Sequence, residues 1–174
     1  MNVVNVSTSL WAENMHQTKI DIALPQRESL AKLLNQRLAD LIDLQLQAKQ
    51  AHWNVKGPNF IALHELFDEV AGELSEPIDT VAERITTLGG TAEGILAAVA
   101  SKTSLPPYST QIFAGSEHLK ALSTAVANVG KVVRKSIDEA TEAGDADTAD
   151  LFTGISRLLD KQLWFLEAHL QSDH

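Results

Sequence analysis

Four long segments of this chain repeat apolar residues at steps of three and four, which is the spacing of one face of an α-helix. No stretch alternates apolar and polar residues in the way a half-buried β-strand would, and no internal repeat stands out. Glycine and proline, which interrupt helices, number only nine and five among 174 residues. The sequence therefore predicts an all-α fold built from four long helices.

Turn-forming residues set the limits of these helices. The first is predicted over about residues 26–53, after Pro25 at a position where helices tolerate proline. The first helix is predicted to end before Gly57-Pro58, the second at Gly89-Gly90 and the third at Gly144. The predicted caps at the helix starts are Asn59 for the second helix, Ser116 for the third, and Asp145 or Asp147 for the fourth. Pro77 lies inside the second helix and lacks a backbone N–H, so we expect a kink or bulge near residues 73–77.

A long connection, residues 91–115, separates the second and third helices. A short helix is predicted within it over residues 92–101, before a pair of prolines breaks the pattern. A connection of this length can cross a whole bundle, and the resulting plan is the one shared by ferritin-like proteins. We therefore expect a ferritin-like four-helix bundle over residues 25–174, preceded by an extended N-terminal tail over residues 1–24.

The composition narrows the classes of function. The chain has no cysteine, which excludes a disulfide scaffold, thiol catalysis and cysteine-ligated metals. Its longest apolar run, Ile95–Ala100, is far shorter than the about 20 residues that span a bilayer, and no secretory signal pattern is found. We therefore expect a cytoplasmic protein without a membrane partner. The formal net charge of -9 argues against a general nucleic-acid binder and would attract metal cations.

Histidine and carboxylate side chains share one face of the predicted second helix, beginning with His64. Asp68, Asp79 and Glu83 lie roughly 40°, 60° and 100° further round the helix axis. Asp68 and Asp79 are about 16 Å apart along that axis, so one metal ion with bonds of about 2 Å cannot join them within one chain. Two antiparallel copies across a two-fold axis would bring His64 and Asp68 of one chain to the other two carboxylates of its partner. His52, at the end of the first helix, completes this intersubunit set.

The chemistry of this set leaves two interpretations open. Imidazole and carboxylate ligands suit Fe(II), Mn(II), Co(II) or Zn(II), and a site with few protein ligands keeps positions open for reaction. Taken singly, however, a carboxylate at helical spacing is more often solvated or ion-paired, and a histidine near a helix end more often packs in an interface.

The residues around these ligands resemble a known family. The resemblance lies in five segments: Lys49-Gln50-Ala51-His52-Trp53-Asn54, Gly57-Pro58-Asn59-Phe60, His64-Glu65-x-x-Asp68, Asp79-Thr80-x-Ala82-Glu83-Arg84 and Leu88-Gly89-Gly90. They closely resemble the signature of the Dps family, the DNA-binding proteins from starved cells, which are also called mini-ferritins. The similarity extends over about residues 26–170.

The resemblance implies a hollow homododecamer built from dimers, with the short crossover helix at the dimer two-fold axis. Such proteins oxidise Fe(II), preferably with hydrogen peroxide, at a ferroxidase centre between subunits, and they store ferric iron and protect the cell and its DNA. The residues that match the family's catalytic and metal-binding positions are His52, His64 and Asp68 from one chain and Asp79 and Glu83 from its partner. Iron is the expected metal, and zinc could occupy the same ligands.

The resemblance implies roles for three further residues. Trp53 matches a tryptophan beside the centre, with either a packing role in the interface or a redox role. Asp145 and Asp150 match the acidic lining of the pores through which iron enters, although helix capping would also explain such residues. Pro77 lies two residues before Asp79, so a kink there could reposition that ligand.

Two other functions stay open: a DNA-compacting nucleoid protein whose iron chemistry is secondary, and a structural oligomer with a silent site. The predicted tail has one basic residue, Lys19, against Glu13 and Asp21, and twelve chains would carry a formal charge of about -108. We therefore expect direct DNA binding to be weak or absent. The opposing argument is a local basic patch formed by Lys102, Lys120, Lys131, Arg134 and Lys135.

Overall fold

The computed structural model describes residues 15–171 as an all-helical chain. Its helices are α1 (Leu24–Asn54), α2 (Phe60–Glu73), α3 (Ser75–Thr87), α4 (Leu96–Lys102), α5 (Gly115–Glu142) and α6 (Ala146–Ala168). α1, the α2–α3 pair, α5 and α6 are the four long arms of a ferritin-like bundle, and α4 lies in the connection between the second and third arms. No β-strand forms within this range, so the predicted fold class is confirmed. In the same range no helix is long and apolar enough to cross a membrane.

Leucine side chains of α1 form the centre of the core. Fully burying one such side chain contributes about 1.5–3 kcal/mol, so a long row of them is enough to hold the other arms against α1. The α1 leucines that solvent reaches least are Leu30, Leu34, Leu38, Leu41 and Leu44. Phe67 of α2 and Phe152 of α6 belong to the same core cluster.

The second arm is broken at Leu74, as the position of Pro77 predicts. Proline cannot donate to the carbonyl one turn earlier, so a continuous helix would leave a backbone group without its partner. Gln45 of α1 binds across the break, because its side-chain amide donates to the Ala71 carbonyl and to the Ser75 hydroxyl, both at 2.9 Å. The two halves, α2 and α3, are thereby joined to α1 separately.

One predicted helix cap is correct and one is wrong. The Asp145 carboxylate accepts from the Thr148 backbone N–H at 3.2 Å and caps α6, as predicted. Ser116 does not cap α5, because that helix begins one residue earlier, at Gly115. The cap position is Ala114, and the Glu117 carboxylate reaches back and accepts from the Ala114 backbone N–H at 3.1 Å, which is the glutamate half of a capping box.

Polar side chains along one side of α1 hold the long connection. The bonds run from Asn35 to Thr91 and Glu93, from Gln36 to Lys102, from Asp40 to Ser104, from Asp43 to Thr103, and from Gln47 to Pro106. Because Asn35 binds the backbone of residues 91 and 93 in an extended form, the short helix begins at Leu96 instead of at residue 92. These bonds hold the connection against α1 at several points along the helix.

The described part of the predicted tail, residues 15–23, contains no helix and is bound to the bundle. The His16 backbone N–H donates to the Gly89 carbonyl at 2.7 Å. Arg27, which is 9% exposed, donates to the carbonyls of Leu88 at 2.9 Å and Ile22 at 3.1 Å. These contacts join the start of α1 to the end of α3. The rest of the predicted tail lies outside the described residues.

A buried ion pair joins α3 to α6. Arg84 donates to both carboxylate oxygens of Asp145, at 2.7 and 2.8 Å, and to the Thr148 hydroxyl at 2.9 Å. Burial acts to raise the pKa of Asp145, but the hydrogen bonds from Arg84 and Thr148 outweigh it and hold the pKa below its ordinary value. The pair therefore fixes α3 against the bundle while its carboxylate stays ionised.

We predict that Arg84→Met lowers the free energy of unfolding by about 3 kcal/mol, because Asp145 would keep a buried charge without its cation. Arg134→Met is the matched control. It breaks the pair with Asp160, whose two side chains are 54% and 53% exposed, and should cost below about 1 kcal/mol. Chemical denaturation of the metal-free protein at neutral pH measures both values, and equal losses would contradict the prediction.

The effect of Arg84→Met should also disappear in acid. Because the pKa of Asp145 is lowered on folding, the stabilisation by the pair is complete above the ordinary pKa of 3.8 and is lost as the pH falls through the folded-state value. Denaturation curves of wild type and variant should therefore converge in strong acid. A difference that persisted unchanged there would show that the loss comes from packing and not from the ion pair.

Candidate metal centre

Two histidines meet at the junction between α1 and α2. His52 lies in the last turn of α1 and His64 follows one turn into α2, and the chain reverses between them at Gly57, whose φ of 118° suits glycine. The two imidazole rings stack with 3.7 Å between their centroids and 24° between their planes. The turn therefore brings together the two predicted histidine ligands of one chain.

Reciprocal hydrogen bonds orient both rings. Nδ1 of His52 lies 2.7 Å from the His64 carbonyl oxygen, and Nδ1 of His64 lies 2.9 Å from the His52 carbonyl oxygen. Since a carbonyl oxygen can only accept, both Nδ1 atoms carry the proton and donate. In the neutral rings Nε2 then holds the lone pair, which is the form that binds a metal ion. Each histidine thus uses the other's backbone to fix its own tautomer.

Asp68 lies one turn beyond His64 and is paired with Lys49 of α1. The hydrogen bond from Lys49 lowers the pKa of Asp68, so this exposed carboxylate is ionised at neutral pH. The Lys49 ammonium group binds one of the two carboxylate oxygens, so its charge would oppose the binding of a cation to Asp68. Lys49 was not among the predicted site residues, although its place three residues before His52 puts both on one face of α1.

The two remaining predicted ligands lie on α3, beyond the break at Leu74. Asp79 and Glu83 are both exposed and one turn apart, and neither takes part in an ion pair within residues 15–171. In that same range no three histidine or carboxylate side chains of one chain converge on a possible metal position. One chain therefore brings the two histidines into contact, with Asp68 one turn further along α2, and leaves Asp79 and Glu83 elsewhere on its surface.

The other predicted residues have different surroundings. Trp53, the residue after His52, is 65% exposed. Asp150 is exposed and lines a hollow together with Glu73 and Asp147. Asp145 is only 3% exposed, and its carboxylate is bound by Arg84 and Thr148, so within one chain it acts as a helix cap. Pore lining by Asp145 and Asp150 stays a prediction.

Known proteins share this fold and much of this sequence. A family model described as a ferritin-like domain matches residues 31–173. The chain is 51% identical over 156 residues to the DNA protection during starvation protein of Agrobacterium fabrum, a match that covers 90% of this chain and 96% of that protein.

Solved structures agree with the sequence comparison. DpsC from Streptomyces coelicolor superposes with a TM-score of 0.89 at 31% identity, covering 97% of this chain and 98% of that one. The tetragonal form of Mycobacterium smegmatis Dps has a TM-score of 0.86 at 34% identity, covering 91% of this chain and 95% of that one. The chain therefore belongs to the Dps family of ferritin-like proteins.

Proposed function

We propose that this protein is a mini-ferritin that oxidises Fe(II) with hydrogen peroxide and stores the ferric product inside a homododecamer. Each ferroxidase centre would take His52, His64 and Asp68 from one chain and Asp79 and Glu83 from its partner. The observation that carries the proposal is the reciprocal bonding of the two histidines, which leaves both Nε2 lone pairs available beside an ionised carboxylate. Iron storage and protection of DNA are also the functions that membership of the Dps family implies.

The division of the ligands supports a site between subunits. Two imidazoles supply neutral nitrogen ligands and Asp68 supplies one charge, which is a small set for a dication. Asp79 and Glu83 would add two charges if a second chain placed them opposite. Few protein ligands per metal leave positions for a second Fe(II) and for peroxide. Peroxide accepts two electrons, so one electron from each of two Fe(II) ions reduces it to water without releasing a radical.

Exposed apolar side chains at two places on the surface support assembly with other chains. Trp53 follows His52 directly, while Ile95 and Leu96, at the start of the crossover helix, are 72% and 76% exposed. Large apolar side chains exposed together favour contact with another chain. The polar contacts from α1 fix the connection that carries Ile95 and Leu96, so these side chains would enter an interface with little loss of conformational freedom. Trp53 would then pack beside the centre, in the role its position implies.

Ligand variants that complement each other test the proposal directly. Asp68→Asn damages the half-site with the histidines, and Glu83→Gln damages the half-site of the partner. Each variant alone should oxidise Fe(II) at below about a tenth of the wild-type rate. Random reassembly of the two variants should restore roughly a quarter of the wild-type sites, because half of the dimers are mixed and each mixed dimer holds one intact site.

The matched control mixes His52→Gln with Asp68→Asn, two changes in the same half-site, and should restore nothing. Oxidation is followed by ferric absorbance after peroxide is added to anaerobic, Fe(II)-loaded protein, together with the ratio of iron oxidised to peroxide consumed. Full activity in both single variants would contradict the assigned ligands. Equal recovery in the test mixture and the control mixture would contradict a site shared between chains. Zinc, which suits the same ligands, should inhibit by competition.

Lys49 should act as a competitor of the metal. We predict that Lys49→Met binds Co(II), a divalent probe, roughly two- to fivefold more tightly than wild type, because the ammonium group no longer neutralises Asp68. Lys56→Met is the control, since that ammonium group lies over the Phe113 ring at 4.8 Å and not on a ligand. Titration of the cobalt absorption bands measures both. Weaker binding in Lys49→Met would show instead that Lys49 holds Asp68 in place for the metal.

DNA compaction is the alternative function, and the charges disfavour it. The basic patch is partly neutralised by neighbours, because Lys102 pairs with Glu93, Arg134 with Asp160 and Lys135 with Glu139. The remaining members of the patch are Lys120 and Lys131. Binding to DNA depends on releasing counterions through free lysine and arginine side chains, and an acidic shell repels the phosphates. We therefore propose that direct DNA binding is weak or absent.

A gel-shift titration at about 0.15 M salt without divalent metal tests this, and little or no complex should form in the micromolar range. Freeing the patch should strengthen binding, so Glu139→Gln/Asp160→Asn is expected to shift DNA at lower protein concentration than wild type. Micromolar or tighter binding of the wild type, falling steeply with added salt, would support the DNA-compacting alternative.

A further inference from the structure

Tyr108 and His118 form a hydrogen-bonded pair that the proposed iron chemistry does not use. Tyr108 is the single tyrosine of the chain, and its ring packs against the core from the connection between α4 and α5. Its hydroxyl lies 2.9 Å from Nδ1 of His118, and the two rings are nearly parallel. His118 is fully buried in the first turns of α5. A half-buried phenol and a fully buried histidine are thus held together.

Both members of the pair are neutral at neutral pH. Burial raises the pKa of Tyr108, so the phenol keeps its proton. Burial also lowers the pKa of His118, against the opposing effects of the Glu117 charge and the Ile112 backbone, so the imidazole has a free lone pair on one nitrogen. We assign the phenol as the donor and Nδ1 as the acceptor, because the phenolic O–H of Tyr108 is more acidic than the N–H of a neutral imidazole. The hydrogen bond then provides a path for the phenolic proton.

The pair lies behind the half-site that holds the histidine ligands. The connection runs beside the last turns of α1, from the Gln47 bond to Pro106 as far as the Lys56 bond to Phe113. Tyr108 falls between those two contacts, on the stretch of the connection that runs beside the last turns of α1, and His52 belongs to the last of these turns. A side chain on the core side of α1 or α2 is about one helix diameter, on the order of 10 Å, from a side chain on the outer side of the same helix.

A second contact links the pair to α2. The ring of Phe67 lies 6.1 Å from the His118 ring, measured between centroids. Phe67 is fully buried, and the next residue along the helix is Asp68, whose carboxylate faces outward. The aromatic rings therefore reach from the phenol to the backbone that carries a predicted iron ligand.

We propose that Tyr108 is a redox-active tyrosine that supplies one electron to peroxide when a centre holds a single Fe(II) ion, with His118 accepting the phenolic proton. This inference rests on the proposed ferroxidase function. A half-loaded centre gives peroxide only one of the two electrons it needs, and the electron that is missing would otherwise be taken from an arbitrary group or leave a hydroxyl radical. The buried phenol is a defined source for that electron.

The electrons and atoms of the step balance. Fe(II) loses one electron to become Fe(III), and Tyr108 loses one electron to become a neutral phenoxyl radical. Hydrogen peroxide takes both electrons and two protons from solvent, its O–O bond breaks, and two water molecules form. The phenolic O–H bond breaks and the proton forms an N–H bond at Nδ1 of His118, which becomes an imidazolium ion. Another Fe(II) ion later gives one electron to the radical and becomes Fe(III), and the phenolic oxygen takes its proton back from His118.

Rapid-freeze electron paramagnetic resonance tests the proposal. Anaerobic protein is loaded with less than one Fe(II) per centre, mixed with hydrogen peroxide and frozen, and ferric absorbance is recorded on the same sample. A tyrosyl radical should form in wild type and be absent from Tyr108→Phe, and the signal is unambiguous because no other tyrosine exists. Loading two Fe(II) per centre should lower the radical yield of wild type several-fold. Trp164→Phe, which changes an exposed ring on α6, is the matched control and should keep the radical.

His118 is tested as a positioning residue by a spectroscopic signature. In wild type, exchange into deuterium oxide should reveal one exchangeable proton coupled to the radical, donated from His118. His118→Gln should lose that coupling and lower the radical yield. If this variant does not fold, the coupling in wild type decides the point, and its absence there would overturn the role of His118.

The outcomes separate the two proposals. Ferric absorbance without a tyrosyl radical would overturn the role of Tyr108 and leave the ferroxidase function standing. Absence of ferric absorbance at every loading would overturn the ferroxidase function itself. A radical that persisted in Tyr108→Phe would place the electron source on a tryptophan and would also overturn the inference.

Discussion

The reciprocal hydrogen bonds between His52 and His64 are the contact on which the candidate centre depends. Each ring donates to the backbone carbonyl of the other residue, so neither ring can rotate without breaking its own bond. The contact joins the last turn of α1 to the first turns of α2 and makes the turn at Gly57 part of the site. It also selects the tautomer that leaves Nε2 free for a metal ion. Fold and chemistry are thus set by the same two hydrogen bonds.

The other half of the centre depends on how α3 is held. A break at Leu74 separates α3 from α2, and Gln45 binds the Ala71 carbonyl before the break and the Ser75 hydroxyl after it. Further along, Arg84 binds Asp145 of α6, and Arg27 binds the Leu88 carbonyl just after the end of α3. These buried polar contacts place α3 independently of α2. Asp79 and Glu83, the carboxylates of α3 that we propose face a second chain, are therefore positioned independently of α2.

The helices and their approximate limits could be predicted from the sequence, because apolar spacing, proline and glycine act locally. The Pro77 break and the Asp145 cap are such local effects. The start of the crossover helix could not be predicted, because Asn35, more than fifty residues away in sequence, holds the backbone that precedes it. Ser116 is not the cap because α5 begins at Gly115, where Glu117 binds the backbone N–H of Ala114.

The sequence by itself determined the fold class, the family and the histidines and carboxylates that share faces of the first two arms. Those properties depend on residue type and helical period, which can be read along one dimension. Only the tertiary structure decided that Asp145 binds Arg84, that Lys49 pairs with Asp68, and that Tyr108 lies within hydrogen-bond distance of a buried histidine. Each of these depends on a side chain from a different element. The physical reason is that hydrogen bonds and ion pairs act over a few ångströms, and only packing brings distant residues within that range.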